Sequence, residues 1–459
     1  MRITSQELMQ WSQSDLRQVS NPLVFTGVSI DSRTVKPGDL FVALTGEHFD
    51  GHDFIADACR QGALAALVNK TVSAELPLFY VTESLSALQA IATSYRQQFS
   101  LPMIGITGSV GKTTTKDLVA LLLKPCYEVL KTEGNYNNEL GVPLTLLCLN
   151  DEYTAAVVEM GMRAPGEIAS LAAMVKPGYG IITNIEPVHL ETMGSLSAIA
   201  QAKCELLSAL PSEGFALIYG DQPLLLQTAR ASGGNIFTFG SNPGNDIILE
   251  SLQTDYRGLY IKASLFGESL VSFFPIPSPR LAMNVIAAAG MAHKMGVEIT
   301  EIQALLANFQ GGKGRLDIKP LQNGGLIIND TYNANPVSMQ AALEALIAVA
   351  EARRKVAVLG DMFELGDYAP EGHRLVGERA AQLGVDELVV IGSMAGYIGE
   401  GAIENGLPAK NVHIFAKPNQ AVSWLIKSIS LQDAVLFKAS RGMKLEKILD
   451  AWINGGVGQ

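Results

Sequence analysis

The stretch "ITGSVGKTTTKD", residues Ile106–Asp117, decides the fold prediction for this chain. It follows the apolar run "PMIGIT" and leads into residues compatible with a helix. A glycine loop between a strand and a helix is typical of a phosphate site, because backbone N–H groups and the helix start attract an anion. The strict pattern G-x-x-x-x-G-K-[ST] fails, since its first glycine falls on Ile106. The shorter pattern T-G-x-x-G-K-T-T remains over residues 107–114.

The chemistry expected of a phosphate-binding loop is still present in this shorter pattern. Gly108 and Gly111 allow the backbone N–H groups to turn inward. Lys112 can reach the β- and γ-phosphates of a nucleotide, and the Thr113 hydroxyl can bind Mg²⁺. The alternative is a plain strand–turn–helix junction, which gives no packing reason for a Lys-Thr pair at this place.

Two further polar residues follow predicted strands. Glu159 ends the strand "AAVVEM", and an acid at the carboxyl end of a parallel strand points into the crevice where ligands bind. It is a candidate second magnesium ligand; the alternative is a solvated glutamate at a strand end. His189 lies after the strand "YGIITNI", and because a lone histidine is usually structural or exposed, its role stays open on pattern alone.

Composition excludes several classes of protein. The chain has 459 residues, 48% apolar and 17% charged, with a formal net charge of −11. At about 150 residues per domain, two to four globular domains are expected. The negative charge disfavours a nucleic-acid binder or a protein held on an anionic membrane. The N-terminus has no signal-peptide pattern and no run of ~18 apolar residues follows, so we expect a cytoplasmic protein that is not integral to a membrane. The four cysteines are scattered, which favours reduced thiols over zinc or disulfides.

Three compositional blocks are predicted, at 1–81, 82–312 and 313–459. The first reads as a small α/β unit. The second alternates strands and helices, which predicts a parallel sheet with helices on both faces, and its residues 235–275 read as an antiparallel meander appended to that sheet. The glycine-rich segment 311–315 reads as a hinge, and a second open parallel sheet is predicted after it.

Eleven stretches together carry a resemblance to a known family. They are "DSRTVKPGDLFVALTGEHFDGHDFI", "TGSVGKTTTKD", "EGNYNNELGVPLTLL", "VVEMGM", "TNIEPVHLE", "AKCE", "MNVIAAAG", "GGKGRLD", "INDTYNANPVSM", "VLGDMFELG" and "KASRGMKLE". On these stretches the chain resembles, over essentially its whole length, the Mur ligases, which are ATP-dependent amide-forming enzymes of bacterial peptidoglycan precursor synthesis. The loop T-G-x-x-G-K-T-T is the variant typical of this family.

The resemblance implies an α/β fold of three domains: a UDP-binding domain, a central P-loop ATPase domain with an antiparallel β appendage, and a Rossmann-like domain. "GNYNNELGVPLTLL", "NDTYNANP" and "VLGDMFELG" are most similar to the member that joins D-alanyl-D-alanine to UDP-N-acetylmuramoyl-tripeptide. The D-N-P-R motif of the diamino-acid-adding member is not found. The implied reaction passes through an acyl phosphate and releases ADP and phosphate.

The resemblance also implies a nucleotide site. Asn284 should contact the adenine, Arg315 the γ-phosphate and Asp330 the ribose, with Tyr332 close to the nucleotide. The full implied set is Thr107, Gly108, Ser109, Val110, Gly111, Lys112, Thr113, Thr114, Asn284, Arg315, Asp330 and Tyr332. The implied catalytic set is Lys112, His189, Lys203, Arg315 and Asn138.

Two Mg²⁺ ions are implied as well. Thr113 and Glu159 should hold one ion, and His189 should ligate the second. Lys203, in "AKCE", matches a lysine that Mur ligases carry as an N-carbamate, which would turn a cation into a metal-binding anion. From its pattern alone, Lys203 would be an ordinary lysine of an amphipathic helix.

The substrate-binding residues are implied in three places. The uridine-diphosphate pocket should include Ser32, Arg33, Gly46 and His48. The asparagine-rich loop should lie near the reacting acyl group through Asn135 and Asn138, although the choice among Asn135, Asn137 and Asn138 stays open. The carboxylate of the incoming dipeptide should meet Ser440 and Arg441, for which a helix N-cap serine and a surface arginine are the alternatives.

Rival functions remain on sequence alone. One is another ligase of the superfamily, such as a diamino-acid-adding or folylpolyglutamate-synthetase-like enzyme. A rival of a different class is a P-loop nucleotide switch, which would leave the UDP-like block and the pair His189 and Lys203 unexplained. We expect a monomer that binds no nucleic acid.

Overall fold

The computed structural model describes residues 1–17, 22–46, 49–187, 190–309, 314–321 and 323–456. In these ranges the strands form four sheets, with two, five, nine and six strands. Among the described residues, no helix combines the length and the apolar character needed to cross a bilayer.

The N-terminal part carries the two smallest sheets. Its strands are Ile3–Thr4 (β1), Asp15–Arg17 (β2), Val24–Phe25 (β3), Gly27–Ser29 (β4), Asp39–Val42 (β5), Ala65–Val68 (β6) and Leu78–Tyr80 (β7). Its helices are Ser5–Ser12 (α1) and Ile55–Gln61 (α2). The strand order is β2-β7-β6-β5-β4, parallel except for β2, and β1 pairs separately with β3. Thr4 and Glu7 form a reciprocal capping box that starts α1.

The central part contains the largest sheet. Its strands are Met103–Thr107 (β8), Val129–Lys131 (β9), Ala155–Glu159 (β10), Tyr179–Ile182 (β11), Phe215–Tyr219 (β12), Ile236–Gly240 (β13), Ile247–Asp255 (β14), Gly258–Leu265 (β15) and Glu268–Phe274 (β16). Its helices are Ser84–Arg96 (α3), Lys112–Leu122 (α4), Gly141–Leu146 (α5), Glu167–Val175 (α6), Leu190–Met193 (α7), Leu196–Cys204 (α8), Pro223–Ser232 (α9), Leu281–Lys294 (α10) and Ile299–Ala307 (α11).

The C-terminal part forms the last sheet. Its strands are Asp317–Pro320 (β17), Leu326–Asn329 (β18), Lys355–Gly360 (β19), Glu387–Ile391 (β20), Val412–Phe415 (β21) and Ala434–Lys438 (β22). Its helices are Pro336–Ala350 (α12), Ala369–Gln382 (α13), Gly396–Glu404 (α14), Pro418–Ser428 (α15) and Glu446–Gly456 (α16). Short 3₁₀ turns across the chain cover Gly51–Phe54, Leu207–Ala209, Gly366–Tyr368, Ala409–Asn411 and Arg441–Met443.

The central sheet confirms the predicted architecture with one correction. Its order is β16-β15-β14-β13-β12-β11-β8-β10-β9, and only β14, β15 and β16 pair antiparallel. The prediction placed the strand at 236–240 in the meander, but β13 pairs parallel with β12. The reason is that α9 connects β12 to β13 as a crossover. It returns the chain to the end of the sheet at which β12 begins, so that both strands run in the same direction.

In the central and C-terminal sheets, two edge strands were not predicted. β9 has three residues and lies at one edge of the central sheet, too short for a recognisable alternation. β17 pairs antiparallel with β18 at the edge of the C-terminal sheet, whose order is β17-β18-β22-β19-β20-β21. It contains Lys319 and Pro320, both exposed, so its sequence lacks an apolar face. The predicted second parallel sheet is therefore present, with one antiparallel strand added.

The apolar core joins the N-terminal and central parts. One cluster of buried side chains includes Phe25 and Phe79 from the N-terminal strands, Leu88 and Ile91 from α3, and Val158 from β10. Helix α3 lies between the two parts, since it packs on α1 and also on α5 and α6. The predicted division between residues 81 and 82 stays a prediction, and the division between 312 and 313 lies outside the described residues.

Candidate active site

The glycine loop between β8 and α4 is tightly packed against its surroundings. Gly108 has φ +148° and Gly111, which caps α4, has φ +86°. A Cβ added to Gly108 would lie 1.9 Å from Thr183 Oγ1, and one added to Gly111 would lie 2.3 Å from Asn284 Nδ2. The left-handed backbone and the close approach both require glycine at these positions.

The loop is held in place by the end of β11. The Asn184 amide accepts from Val110 N–H through Oδ1 at 2.9 Å and donates to the Val110 carbonyl through Nδ2 at 2.9 Å. Thr183 Oγ1 donates to the same carbonyl at 2.7 Å, and the Ser109 N–H donates to the Asn184 carbonyl at 3.1 Å. The sequence analysis did not assign Thr183 or Asn184, although both stand in "TNIEPVHLE", at the end of the predicted strand "YGIITNI".

The Lys112 ammonium folds back over the loop. Its Nζ donates to the carbonyls of Gly108, at 2.8 Å, and Ser109, at 3.3 Å. Burial lowers the pKa of Lys112; Glu159 acts against this shift, whereas the positive charge of Arg315 adds to it. An anion bound in the loop would favour the charged form of this lysine.

The Glu159 carboxylate is buried with one oxygen left over. Its Oε1 accepts from Asn137 Nδ2 at 2.7 Å. Its Oε2 is buried and has no hydrogen-bond partner among the described residues. An unsatisfied buried carboxylate oxygen close to the loop is the kind of ligand that Mg²⁺ takes. Thr113, the other predicted ligand of this ion, is also buried at the start of α4.

The three candidate asparagines of the asparagine-rich loop have different surroundings. Asn137 contacts Glu159 as described. Asn138 Oδ1 instead accepts from the N–H groups of Leu140, at 3.3 Å, and Gly141, at 3.0 Å, and so helps to start α5. Asn135 lines the cavity in front of the loop. The sequence analysis named Asn135 and Asn138 and left Asn137 as an alternative; the roles of all three stay predictions.

Lys203 is a buried cation at the end of α8. The residue is 3% exposed. Burial lowers the pKa of Lys203 well below its ordinary value, and the positive charge of Lys112 acts in the same direction. A lower pKa favours the neutral amine, which is a nucleophile rather than a point charge.

The C-terminal domain faces this loop with stacked side chains. The Arg315 guanidinium lies 4.0 Å from the centre of the Tyr332 ring, and that of Arg441 lies 5.7 Å from it. Burial raises the pKa of Tyr332, and Arg315 opposes the shift. Asp330 accepts from Leu316 N–H at 3.0 Å and from Lys438 Nζ at 2.5 Å. Lys438 was not assigned from the sequence.

Asn284 supports the loop from α10. Its Nδ2 donates to Thr115 Oγ1 at 2.9 Å and to the Gly111 carbonyl at 3.4 Å. In this arrangement the amide N–H groups link α10 to the start of α4. The contact of Asn284 with adenine stays a prediction.

One cavity of about 490 Å³ brings many of the predicted residues together. Its lining comes from both the central and the C-terminal domains. The predicted residues in it are Ser109, Val110, Gly111, Lys112, Thr113, Thr114, Asn135, Glu159, Asn284, Arg315, Asp330 and Tyr332. The predicted residues that do not line it are Thr107, Gly108, Asn138, Lys203, Ser440, Arg441, Ser32, Arg33 and Gly46.

The described residues of the predicted uridine-diphosphate pocket lie outside the lining of this cavity. Arg33 is exposed and pairs with Asp31 at 2.6 Å, next to the buried Ser32. The Gly46 N–H donates to the Phe49 carbonyl at 2.8 Å. His48 and His189 lie outside the described residues, so their predicted roles have no geometry here.

The pair at the end of β22 divides in its surroundings. Ser440 is buried; its Oγ accepts from Phe363 N–H at 2.8 Å and lies 3.4 Å from the Ala334 carbonyl. Arg441 is exposed and lies 3.5 Å from Glu446. The Arg441 side chain is 62% exposed, so a carboxylate can reach its guanidinium, while the Ser440 hydroxyl already has protein partners. Both roles stay predictions.

Known proteins agree with this arrangement. Three family models match the chain: "Mur ligase family, catalytic domain" at residues 24–96, "Mur ligase middle domain" at 106–292 and "Mur ligase, glutamate ligase domain" at 314–441. A curated relative from Synechocystis, UDP-N-acetylmuramoyl-tripeptide–D-alanyl-D-alanine ligase, is 37% identical and covers 94% of this chain and 92% of its own. The chain belongs to the Mur ligase family.

Two solved structures extend this finding to three dimensions. A crystal structure of MurF from Acinetobacter baumannii has a TM-score of 0.88 at 31% identity and covers 99% of both chains. MurF ligase from Thermotoga maritima, in complex with ADP, has a TM-score of 0.80 at 30% identity and covers 94% of this chain and 98% of its own. The three-domain α/β architecture predicted for this Mur ligase is thereby confirmed.

The packing of the loop predicts the result of adding one methyl group. Gly111→Ala should weaken nucleotide binding at least about tenfold, because the new Cβ must displace the Asn284 amide as well as adopt a left-handed backbone. The control is Gly166→Ala: Gly166 also has φ +86° at a helix N-cap, but its Cβ would meet nothing within 4 Å. Calorimetric titration with ATP compares the two variants. Equal affinities for both would show that the contact with Asn284 is unimportant.

Proposed function

We propose that this Mur ligase joins D-alanyl-D-alanine to UDP-N-acetylmuramoyl-tripeptide with ATP, and releases the UDP-linked pentapeptide, ADP and phosphate. The observation that carries the proposal is the single cavity in which the P-loop lysine, Lys112, faces Arg315 and Tyr332 of the C-terminal domain. The names of the relatives that align over nearly the full chain support this choice of substrates. We also propose that the chain acts in the bacterial cytoplasm, because the reaction consumes ATP. As to oligomeric state, a monomer is proposed.

The nucleotide occupies the cavity with its phosphates on the loop. The backbone N–H groups of residues 111–114, at the start of α4, receive the β-phosphate, and Lys112 exchanges its loop carbonyls for phosphate oxygens. Asn284 and Asp330 both line the cavity; Asn284 is the proposed contact of the adenine and Asp330 that of the ribose. Arg315 reaches the γ-phosphate, at which negative charge must be neutralised during transfer.

Two Mg²⁺ ions are part of the proposal. The buried, unpartnered Oε2 of Glu159 and the Thr113 hydroxyl fit the first ion, since both are oxygen donors beside the loop. When bound, Mg²⁺ would neutralise phosphate charge and help to orient the γ-phosphate. His189 and Lys203 are the proposed ligands of the second ion.

Lys203 suits this second role only after modification. A protonated lysine repels a cation, whereas an N-carbamate presents oxygen ligands with a negative charge. Carbon dioxide adds to the neutral amine with loss of one proton, and burial beside Lys112 favours that neutral form.

The chain's own residues then bring the substrates into line. The terminal carboxylate of the tripeptide attacks the γ-phosphorus, which gives an acyl phosphate and ADP. The dipeptide amine adds to the acyl carbon, loses a proton and expels phosphate. Arg441 holds the dipeptide carboxylate, Ser32, Arg33, Gly46 and His48 bind the UDP group, and Asn135 and Asn138 lie near the acyl group. The predicted hinge at residues 311–315 lies largely outside the described residues; closure of the C-terminal domain about it would exclude water from the acyl phosphate.

An omission assay tests the substrate assignment. We expect phosphate release from ATP and Mg²⁺ only when UDP-N-acetylmuramoyl-tripeptide and D-alanyl-D-alanine are both present, together with a product lengthened by two residues in mass spectrometry. Replacement of the dipeptide by a diamino acid or by glutamate is the matched control for the rival ligases. Product with a single amino acid instead of the dipeptide would reassign the substrate, and ATP hydrolysis that ignores all acceptors would favour a nucleotide switch.

Arg315 provides the test of the catalytic geometry. Arg315→Ala should lower kcat at least about a hundredfold, because a guanidinium that neutralises charge at the transferred phosphoryl group acts mainly in the transition state. The fold should persist, since Arg315 is only half-buried. Steady-state kinetics with circular dichroism as a folding control measure both properties. Near-normal turnover would remove Arg315 from the mechanism.

The carbamate on Lys203 has a direct spectroscopic test. Protein exchanged into isotopically labelled bicarbonate should show a carbamate carbon resonance that Lys203→Met lacks. Lys319→Met, at a lysine 68% exposed on β17, is the control and should retain the signal. A spectrum without that resonance in the unaltered chain, at a pH where it is active, would leave Lys203 unmodified.

A further inference from the structure

Lys438, the buried partner of Asp330, has no role assigned so far. Lys438 ends β22 and Asp330 follows β18, and these neighbouring parallel strands are in register at Asn329 and Phe437. Both residues therefore lie at the same end of the sheet, where these two strands finish. The Lys438 side chain is 3% exposed, and its Nζ lies 2.5 Å from Asp330 Oδ2 and 2.9 Å from the Asn333 carbonyl.

The second oxygen of Asp330 connects this pair to the segment that follows the predicted hinge. Asp330 Oδ1 accepts the Leu316 N–H at 3.0 Å. The Tyr332 N–H donates to the Gly314 carbonyl at 3.0 Å. Arg315 lies between these two anchored residues, with its guanidinium 4.0 Å from the Tyr332 ring. The direction of Arg315 is thus set by two hydrogen bonds and one stacking contact.

Lys438 controls the first of these hydrogen bonds through charge and orientation. A carboxylate with an ammonium on one oxygen is fixed in rotation, so its other oxygen can hold a backbone N–H. Without Lys438, Asp330 would be a buried carboxylate with an uncompensated charge, which favours rotation toward water or protonation. Either change would release the Leu316 N–H.

We propose that Lys438 is a positioning residue, which acts through Asp330 to hold the Gly314–Leu316 segment and thereby aims Arg315 at the transferred phosphoryl group. The inference rests on the proposed function, because that function gives the direction of Arg315 a consequence. Lys438 lines the same cavity as Arg315, and in this proposal it acts on Arg315 through the hydrogen bonds that fix Asp330 and Leu316.

A double-mutant cycle tests the proposal. Lys438→Met should lower kcat about tenfold, the size of effect expected when two coupled groups are separated. In an Arg315→Ala background the same substitution should lower kcat less than about twofold, because there is no guanidinium left to aim. Lys319→Met, which removes an exposed lysine paired with Asp317 at 2.7 Å in the same domain, is the control and should leave kcat unchanged. The dissociation constant of ATP, measured by calorimetry, should change less than kcat.

The possible outcomes separate the two hypotheses. The same fold loss in both backgrounds would overturn the positioning role, since it would mean that Lys438 acts independently of Arg315. A larger change in ATP affinity than in kcat would also overturn it and would make Lys438 a nucleotide-binding residue. Full activity of Arg315→Ala would overturn the catalytic role of Arg315 and the inference together.

A second variant guards against loss of the fold. If circular dichroism shows that Lys438→Met is unfolded, Lys438→Arg keeps the charge while it moves the donor. It should lower kcat by a smaller factor, and that factor should again disappear in the Arg315→Ala background. Persistence of the factor there would count against the proposal.

Discussion

The phosphate-binding loop can take its shape only because two of its residues have no side chain. At Gly108 and Gly111 the space for a Cβ is already filled by Thr183 and Asn284. These neighbours also hold the loop, through Thr183 Oγ1 on the Val110 carbonyl and Asn284 Nδ2 on Thr115 Oγ1. The close approach and the hydrogen bonds therefore belong to one constraint. Asn184 takes up the N–H groups of Ser109 and Val110 and so fixes the loop, while the N–H groups at the start of α4 remain for an anion.

Parallel pairing explains why the remaining polar groups gather at this loop. β8, β10 and β11 run in one direction, so the loop, Glu159 and Thr183 all lie at the carboxyl ends of these strands, on the same side of the central sheet. The C-terminal sheet repeats this geometry with β18 and β22, which place Asp330 and Lys438 at the carboxyl ends of two neighbouring strands. Residues at the strand ends of both sheets line a common cavity. An enzyme with this fold can therefore hold a nucleotide on one domain and complete its phosphate contacts from the other.

The sequence could predict those features that depend on local pattern. The strand–loop–helix order placed Lys112 and Thr113, and the strand end placed Glu159, because backbone geometry follows directly from such runs. It could not separate Asn137 from Asn138, since a polar cluster in a loop does not reveal which member turns inward. Lys438 was missed for a related reason: its partner Asp330 is distant in the chain, and only tertiary pairing of β18 with β22 brings them together. The edge strands β9 and β17 escaped notice because sheet pairing, and not an apolar pattern, stabilises them.

The distribution of charge explains how a chain with a net charge of −11 can serve a polyanion. Lys112 is half-buried and Lys203 is buried, and desolvation lowers the pKa of each; the charge on Lys112 lowers the pKa of Lys203 further. Two such cations disfavour each other unless an anion lies between them or one of them loses its charge. Phosphate oxygens would supply the anion, and the proposed carbamate would remove the charge of Lys203. Proton binding and nucleotide binding are therefore coupled in this site, since whatever neutralises one lysine strengthens the charged form of the other.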